Sequence, residues 1–437
     1  MEVAMEIKRD VYLDRLIVRK HNGLIKVITG IRRSGKSYLL NTLFYRHLIA
    51  ENISEDHIIK FAFDSAEDLL KIGEDPIVLD NEKKDRKVDP SKFINWLMPQ
   101  IKSDGMYYLL LDEVQKLGAF ESVLNGFLRR ENLDVYVTGS NFKFLSKDIL
   151  TEFRGRGDEV HVLPLSFSEY YTFKQVDKSE AYDEYSVYGG LPAVALMVTE
   201  EQKTNYLISQ MQNLYLRDIV NRYAVQDETA LGEVIDVIAS GISTLTNPRK
   251  IANTMHTIHG TKTCDATVDR YIGYAEEAFI LTRVKRYNVK GRKYIGTPYK
   301  IYFEDVGLRN ARLSFRQIEG SHMMENIIYN ELRYRGYQVD VGTVESREKD
   351  SSGKEIRVQR EIDFIASLGS KKYYIQSAYA IPDQEKYEQG TKSFEHTMDS
   401  FKKIIIVDKS MKPRYDEHGY LMMGVKEFLL DANSLLI

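Results

Sequence analysis

Leu24 to Ser37 reads LIKVITGIRRSGKS, a short apolar run that passes directly into a glycine-bounded loop closed by Lys-Ser. Gly30, Gly35, Lys36 and Ser37 satisfy every fixed position of the pattern G-x-x-x-x-G-K-[ST]. The two glycines permit backbone angles closed to other residues. The N–H groups of Gly30, Ile31, Arg32, Arg33 and Ser34, and then of Gly35 to Tyr38, can therefore turn inward around a polyphosphate. Lys36 adds a point charge for the β- and γ-phosphates, and Ser37 a hydroxyl ligand for Mg²⁺. The apolar Tyr38-Leu39-Leu40 opens a helix whose positive N-terminus faces the phosphates. A strand before the loop and a helix after it are the context in which this motif binds a nucleotide, so ATP with Mg²⁺ is expected.

A second element gives the loop a chemistry. Met106 to Leu111, MYYLLL, is a continuous apolar run of the kind found in parallel strands covered on both faces, and it ends in Asp112-Glu113 about 75 residues after the loop. A buried strand delivering two carboxylates at its C-terminal end puts both in the crevice beside the phosphates. Asp112 is expected in the Mg²⁺ shell, directly or through water. Glu113 is expected to orient and deprotonate the attacking water. A small-molecule kinase needs no such glutamate, since its nucleophile is a substrate hydroxyl, so hydrolysis is favoured. The next strand, Leu133 to Thr138, runs into Gly139-Ser140-Asn141. Asn141 or Ser140 is the candidate for touching the γ-phosphate or the water; a plain turn explains the same residues.

At 437 residues and 43% apolar content the chain is globular and too long for one ordinary core. Its single cysteine, Cys264, can form no intramolecular disulfide, and no apolar run approaches the length of a membrane span. A cytoplasmic location is expected. With 61 Lys and Arg against 64 Asp and Glu the chain is not globally basic, which leaves only a local patch for nucleic acid.

Further motifs follow in order: GIRRSGKS, LLLDEVQ, VTGSN, EFRGRGDEVHVLPLSFSEYY, YGGLP at Tyr188 to Pro192, and LYLRDIV at Leu214 to Val220. Together they resemble a family of bacterial and archaeal AAA+-type ATPases that carries an extra C-terminal domain of uncharacterised function. The resemblance covers nearly the whole chain. It implies a homo-oligomer in which Arg154 and Arg156, in FRGRG, reach the γ-phosphate of a neighbouring subunit and stabilise charge on the transferring phosphoryl group. Surface arginines or a contact within one chain are the competing readings.

Aromatic residues between Ser166 and Gln226 fall at helical spacing and suggest a helical lid, with Gly189-Gly190-Leu191-Pro192 as an internal turn; a tyrosine stripe of this kind reads as core. Glu228 to Leu313 then gives three helical patterns followed by two alternating strands around Lys290-Gly291-Arg292, the order of a winged helix-turn-helix. From Thr282 to Lys300 there are seven Lys or Arg and no Asp or Glu. This basic run is expected on DNA phosphates, with Thr267, Asp269 and Arg270 of the third helix near the groove. A protein-contact module is the alternative.

The last part, a helix at Met324 to Arg335 followed by strands that include EIDFI, resembles the PD-(D/E)XK nuclease fold. Glu325 and Asp363 fit two of its acidic positions. Gln376 stands where the third acid is expected and Ala378 where the lysine is expected, so binding is favoured over cutting. The expected fold class is α/β: a P-loop parallel-sheet ATPase core over 1–165, a helical lid over 166–227, a winged helix-turn-helix over 228–315 and a nuclease-like α/β domain over 316–437. The expected function is an ATP-hydrolysing switch acting on or near DNA. An ATP-gated nuclease and a nucleotide-binding switch with negligible turnover are the rivals.

Overall fold

The computed structural model describes residues 6–77, 86–102, 105–139, 155–349, 354–379 and 384–437. They divide into two compact units, Glu6–Leu163 and Pro164–Ile437.

The first unit is built on a five-stranded sheet. Its strands are β1 (Ile25–Thr29), β2 (Ile58–Ala62), β3 (Tyr107–Asp112), β4 (Leu133–Thr138) and β5 (Gly157–His161), in the spatial order β2-β3-β4-β1-β5 and all parallel. Every residue of β1, β3 and β4 is buried, the burial pattern of parallel strands covered on both faces. β4 lies between the glycine-loop strand and the acidic strand. Ile28 pairs with Thr138 and Leu111 with Val137, so the glycine loop, Thr138 and Asp112 leave the sheet at the same edge. Phe61, Phe63 and Phe93 fill one face of the core, with Phe93 edge-on to the other two at 5.1 and 5.0 Å between centroids. At the other end of the sheet Lys26 is fully buried and ion-paired to Asp134, whose second oxygen accepts from the Tyr136 hydroxyl at 2.9 Å. Burial pulls the pKa of Lys26 down, and Asp134 opposes that pull.

The second unit holds the helices of the tyrosine-rich region and an eight-stranded mixed sheet. Phe167–Lys174 and Lys178–Tyr188 form helices whose aromatic residues are core: Tyr182 and Tyr185 stand edge-on to Phe167 at 5.5 and 5.6 Å. The YGGLP turn is a close-packed joint. A Cβ on Gly190 would lie 2.3 Å from the Leu165 carbonyl oxygen, and one on Gly307 would lie 2.0 Å from that of Tyr188. The carboxylate of Asp305 accepts from Gly190 N at 2.8 Å and Leu308 N at 3.0 Å, tying this turn to the helix Val306–Arg312. Burial raises the pKa of Asp305 to about 6.

Three helices, Glu228–Ser240, Pro248–His259 and Asp265–Glu277, precede β6 (Leu281–Asn288) and β7 (Lys293–Phe303), which pair as an antiparallel hairpin. The sequence pattern places this hairpin in a separate module that ends near residue 315. In the structure it is the edge of the C-terminal sheet. β6 pairs in parallel with β8 (Gln338–Lys349), and the order continues through β9 (Glu355–Leu368), β10 (Lys371–Ala378), β11 (Lys402–Val407) and β13 (Leu421–Gly424) to β12 (Arg414–Tyr415). Local alternation reveals a strand but not the strand beside which it hydrogen-bonds, and here that partner lies 55 residues further along, as in Arg286 with Val341. Among the described residues no helix is long and apolar enough to cross a membrane.

Candidate nucleotide site

The glycine loop crosses from β1 into a helix that begins at Lys36–Tyr38, continues as the π-helical segment Leu39–Phe44 and ends as Tyr45–Ala50. Gly30 and Gly35 adopt φ of 136° and 95°, and Arg33 also lies in the left-handed region, at 63°. Gly30 has a second reason to be glycine. A Cβ there would sit 2.2 Å from the Val162 carbonyl oxygen. Lys36 is buried, and its ammonium donates to the carbonyls of Gly30 and Ile31, both at 2.9 Å, so the charge is held inside the curl of the loop. Ile31 and Ser34 are buried, Arg32 is half-buried, and Arg33 and Ser37 are exposed. The Tyr38 hydroxyl donates to Glu6 at 3.0 Å, so in Tyr38 it is the backbone at the helix start that belongs to the loop.

Asp112 ends β3 and is buried. Asn41 of the loop's helix donates to its Oδ2 at 3.2 Å, and the Thr138 hydroxyl donates to its Oδ1. Burial is the main influence on its carboxyl and raises the pKa; hydrogen bonds from Thr138 and Ser37 act in the opposite direction. Ser37 and Asp112 are thus brought together, an oxygen-only pair that fits Mg²⁺. A buried carboxylate with a raised pKa is also a group whose ionised form a dication would favour. Glu113 follows at φ 51°, a left-handed conformation that a non-glycine residue adopts only when its surroundings hold it there. Two contacts do so. Its N–H donates to the Thr138 hydroxyl at 3.1 Å, and its carboxylate accepts from the Gln115 amide.

Asn141, Ser140 and Arg154 lie outside the described residues. Arg156 is exposed and immediately precedes β5, where Gly157 pairs with Ile25 and the Arg156 carbonyl accepts from Ile25 N. That is the opposite edge of the sheet from the glycine loop, a β-strand of five residues away, or about 16 Å at the usual rise. The expected catalytic set therefore separates. Lys36, Ser37, Asp112 and Glu113 gather at one edge, and Arg156 stands at the other.

Sequence reasoning missed four contributors. Asn41 sits one helical turn beyond Ser37, and that i+4 spacing was the available signal. Thr138 closes the apolar strand before the candidate polar residues, and Gln115 lies two residues past Glu113. Arg9, from the segment before the first strand, is 2% exposed; it donates to the Ser34 carbonyl at 2.9 Å and to the Leu163 carbonyl at 2.7 Å. Nothing local marks it.

An uncharacterized protein of Haemophilus influenzae is 34% identical over 416 residues, 94% of this chain and 95% of that one. The profile of a family described as an AAA domain matches residues 22–171. The chain belongs to this AAA+-type family. A domain of unknown function (DUF8612) matches residues 179–319 of this family member, and an uncharacterized protein of Methanocaldococcus jannaschii is 26% identical over 98% of this chain and 90% of its own. Among solved structures, the Walker-type ATPase of Pyrococcus abyssi superposes with a TM-score of 0.50 at 13% identity, covering 70% of the AAA+-type chain and 96% of its own. At that identity the likeness shows a shared P-loop ATPase fold.

Proposed function

We propose that the protein binds ATP with Mg²⁺ at the glycine loop and hydrolyses it as a nucleotide-driven switch. The observation that carries this reading is Asp112, buried at the mouth of the loop, contacted by Asn41 and Thr138, and followed by a glutamate locked in a strained conformation. The loop amides would wrap the phosphates, and Lys36 would exchange its two carbonyl partners for phosphate oxygens. Ser37 and Asp112 would hold the metal, whose contribution is to neutralise phosphate charge. Glu113 would orient the attacking water and accept its proton, with Thr138 fixing its backbone and Gln115 its carboxylate.

The test is steady-state phosphate release beside binding of a fluorescent ATP analogue. Lys36→Ala should abolish binding. Glu113→Gln should bind normally and turn over at least about a hundredfold more slowly, as loss of a water-activating group does. Glu113→Gln turning over at the parent rate would remove the assigned base, and a parent protein without turnover would leave the binding-only switch.

A second reading gives the switch DNA as its partner. Of the basic run, Arg283 is bound to Glu276 and Asp269, Arg286 is buried against Pro298 and Gln359, and Lys300 is buried. Lys285, Lys290, Arg292 and Lys293 are exposed at and beside the hairpin turn. These four cations support a phosphate-backbone contact without base specificity.

A further inference from the structure

Lys300, near the end of β7, points into the C-terminal sheet and meets three carboxylates. Its ammonium stands 2.8 Å from Glu325 of the helix Gly320–Tyr334, 2.7 Å from Glu361 and 3.2 Å from Asp363, both on β9. Only 4% of its side chain is exposed, against 12% for Glu325, 10% for Asp363 and 31% for Glu361. Burial pushes the pKa of Lys300 down, and the three acids together push it up by more, so the ammonium stays charged. Glu325, which also accepts from the Tyr302 hydroxyl at 2.7 Å, is raised above the usual carboxylate range by burial, with Asp363 adding to the rise and Lys300 opposing it.

Two features mark this as more than a stray ion pair. The first is stoichiometry. Three acids converge on one cation, so the cluster holds more negative charge than its lysine neutralises. The second is an orphan acceptor. Ile375 of β10 pairs with Phe364 of β9, which places Gln376 across the ladder from Asp363, whose Oδ2 accepts from Ser377 N at 2.9 Å. The Gln376 side-chain oxygen is buried and has no hydrogen-bond donor among the described residues. Carboxylate oxygens and an amide oxygen beside a central cation are the donor types of a hard-metal site.

We propose that the Lys300 ammonium occupies the position of a divalent cation, so that this carboxylate site is closed by a cation belonging to the chain itself, and that removing the lysine opens it to Mn²⁺ or Ca²⁺. The separations explain why the site is closed as it stands. Carboxylates spread to 2.7–3.2 Å around an ammonium stand farther out than the oxygens of a divalent cation, about 2.1 Å for Mg²⁺ and up to about 2.6 Å for Ca²⁺, so they must close in before one binds. Among the described residues no three acidic, histidine or cysteine side chains are placed to hold a metal ion as they stand. Glu361, the most exposed of the three, has the freedom to close in once the ammonium is gone.

The experiment is thermal unfolding of the full chain, without nucleotide, over a titration of Mn²⁺ or Ca²⁺. The parent should be insensitive. Lys300→Ala should melt lower in chelator and recover saturably with the ion, and Lys300→Ala/Glu361→Gln should lose most of that recovery. Should Lys300→Ala fail to fold in chelator, Mn²⁺ or Ca²⁺ present during refolding should rescue it. A parent protein stabilised by the ions, a folded Lys300→Ala indifferent to them, or an unfolded one they do not rescue would each overturn the proposal.

Discussion

Replacing Arg9 by alanine should damage both the stability of the first unit and its hold on nucleotide. The guanidinium is buried, donates to two backbone carbonyls and lies over the Tyr12 ring at 4.7 Å. A hydrogen bond from a charged donor contributes about 1.5–3 kcal/mol, so the two together amount to about 3–6 kcal/mol before relaxation. Water entering the space left by alanine would recover part of this, which sets the expected loss at about 3–4 kcal/mol. One of the two acceptors, Ser34, lies inside the glycine loop, so a further consequence is a loop that is less well ordered before it binds. A loss of about 1.4 kcal/mol in preorganisation weakens an ATP analogue tenfold. Arg9→Lys, which keeps the charge but loses the planar fork that sends separate nitrogens to the two carbonyls, should fall between. Denaturant unfolding gives the first number, through a shifted midpoint at unchanged slope, and fluorescence titration the second. Arg9→Ala within about 0.5 kcal/mol of the parent and binding nucleotide equally well would refute the reasoning, since that is the scatter of inconsequential surface changes.

Asp112→Asn should remove Mg²⁺-dependent stabilisation by ATP while making the nucleotide-free protein more resistant to heat at neutral pH. The sign follows from the raised folded-state pKa: ionised Asp112 costs stability above its unfolded pKa, and that cost disappears as pH falls through the folded one. The difference between parent and variant should therefore shrink on acidification, and a difference independent of pH would count against burial as the cause. Neutralising Lys290, Arg292 and Lys293 together should weaken DNA binding for all sequences and flatten its salt dependence by up to about three phosphate equivalents; an unchanged slope would assign the hairpin to protein contacts. Because Arg156 stands at the far edge of its own sheet, any contact with phosphate must come from another subunit. Mixing Arg156→Ala with Glu113→Gln should then restore phosphate release, and turnover independent of protein concentration would leave Arg156 without that task.

The parts of the first unit that were legible in the sequence are those in which one residue's chemistry matches its local context. Ile25–Thr29 and Leu133–Thr138 read correctly to the residue because apolar side chains on both faces outweigh the one charge each strand carries, Lys26 and Asp134, and Asp112 stood out because it ends the continuously apolar run of β3. Arg9 was illegible because its two acceptors are backbone carbonyls, which carry no side-chain signature, 25 and 154 residues away. Lys26 presents the same difficulty: a charge inside an apolar strand makes sense only with Asp134, 108 residues distant in sequence and adjacent in space. In the second unit the hairpin was visible and its place was not. Its strands alternate as any hairpin does, but the pairing of Arg286 with Val341 is decided by a register that no local window contains.

Charge read along the chain misled for a related reason. Thr282 to Lys300 is free of acids in sequence, yet in space Arg283 is answered by Glu276 and Asp269, and Lys300 by Glu325, Glu361 and Asp363. Two carboxylate centres, those of Asp112 and Asp363, show what that redistribution decides. Around Asp112 burial raises the pKa, two further carboxyls, Glu113 and Asp64, add to the rise, and two hydroxyls oppose it. Around Asp363 an ammonium already lies within ion-pair distance. Acids that look equivalent in a sequence thus differ in whether the fold supplies their counter-charge. A centre whose own chain supplies a cation gains little from an external one and would have to displace the lysine to bind it. A centre that is supplied only neutral donors, the Thr138 hydroxyl and the Asn41 amide among them, gains the full interaction, which is why Asp112, and not Asp363, is where Mg²⁺ dependence should be sought.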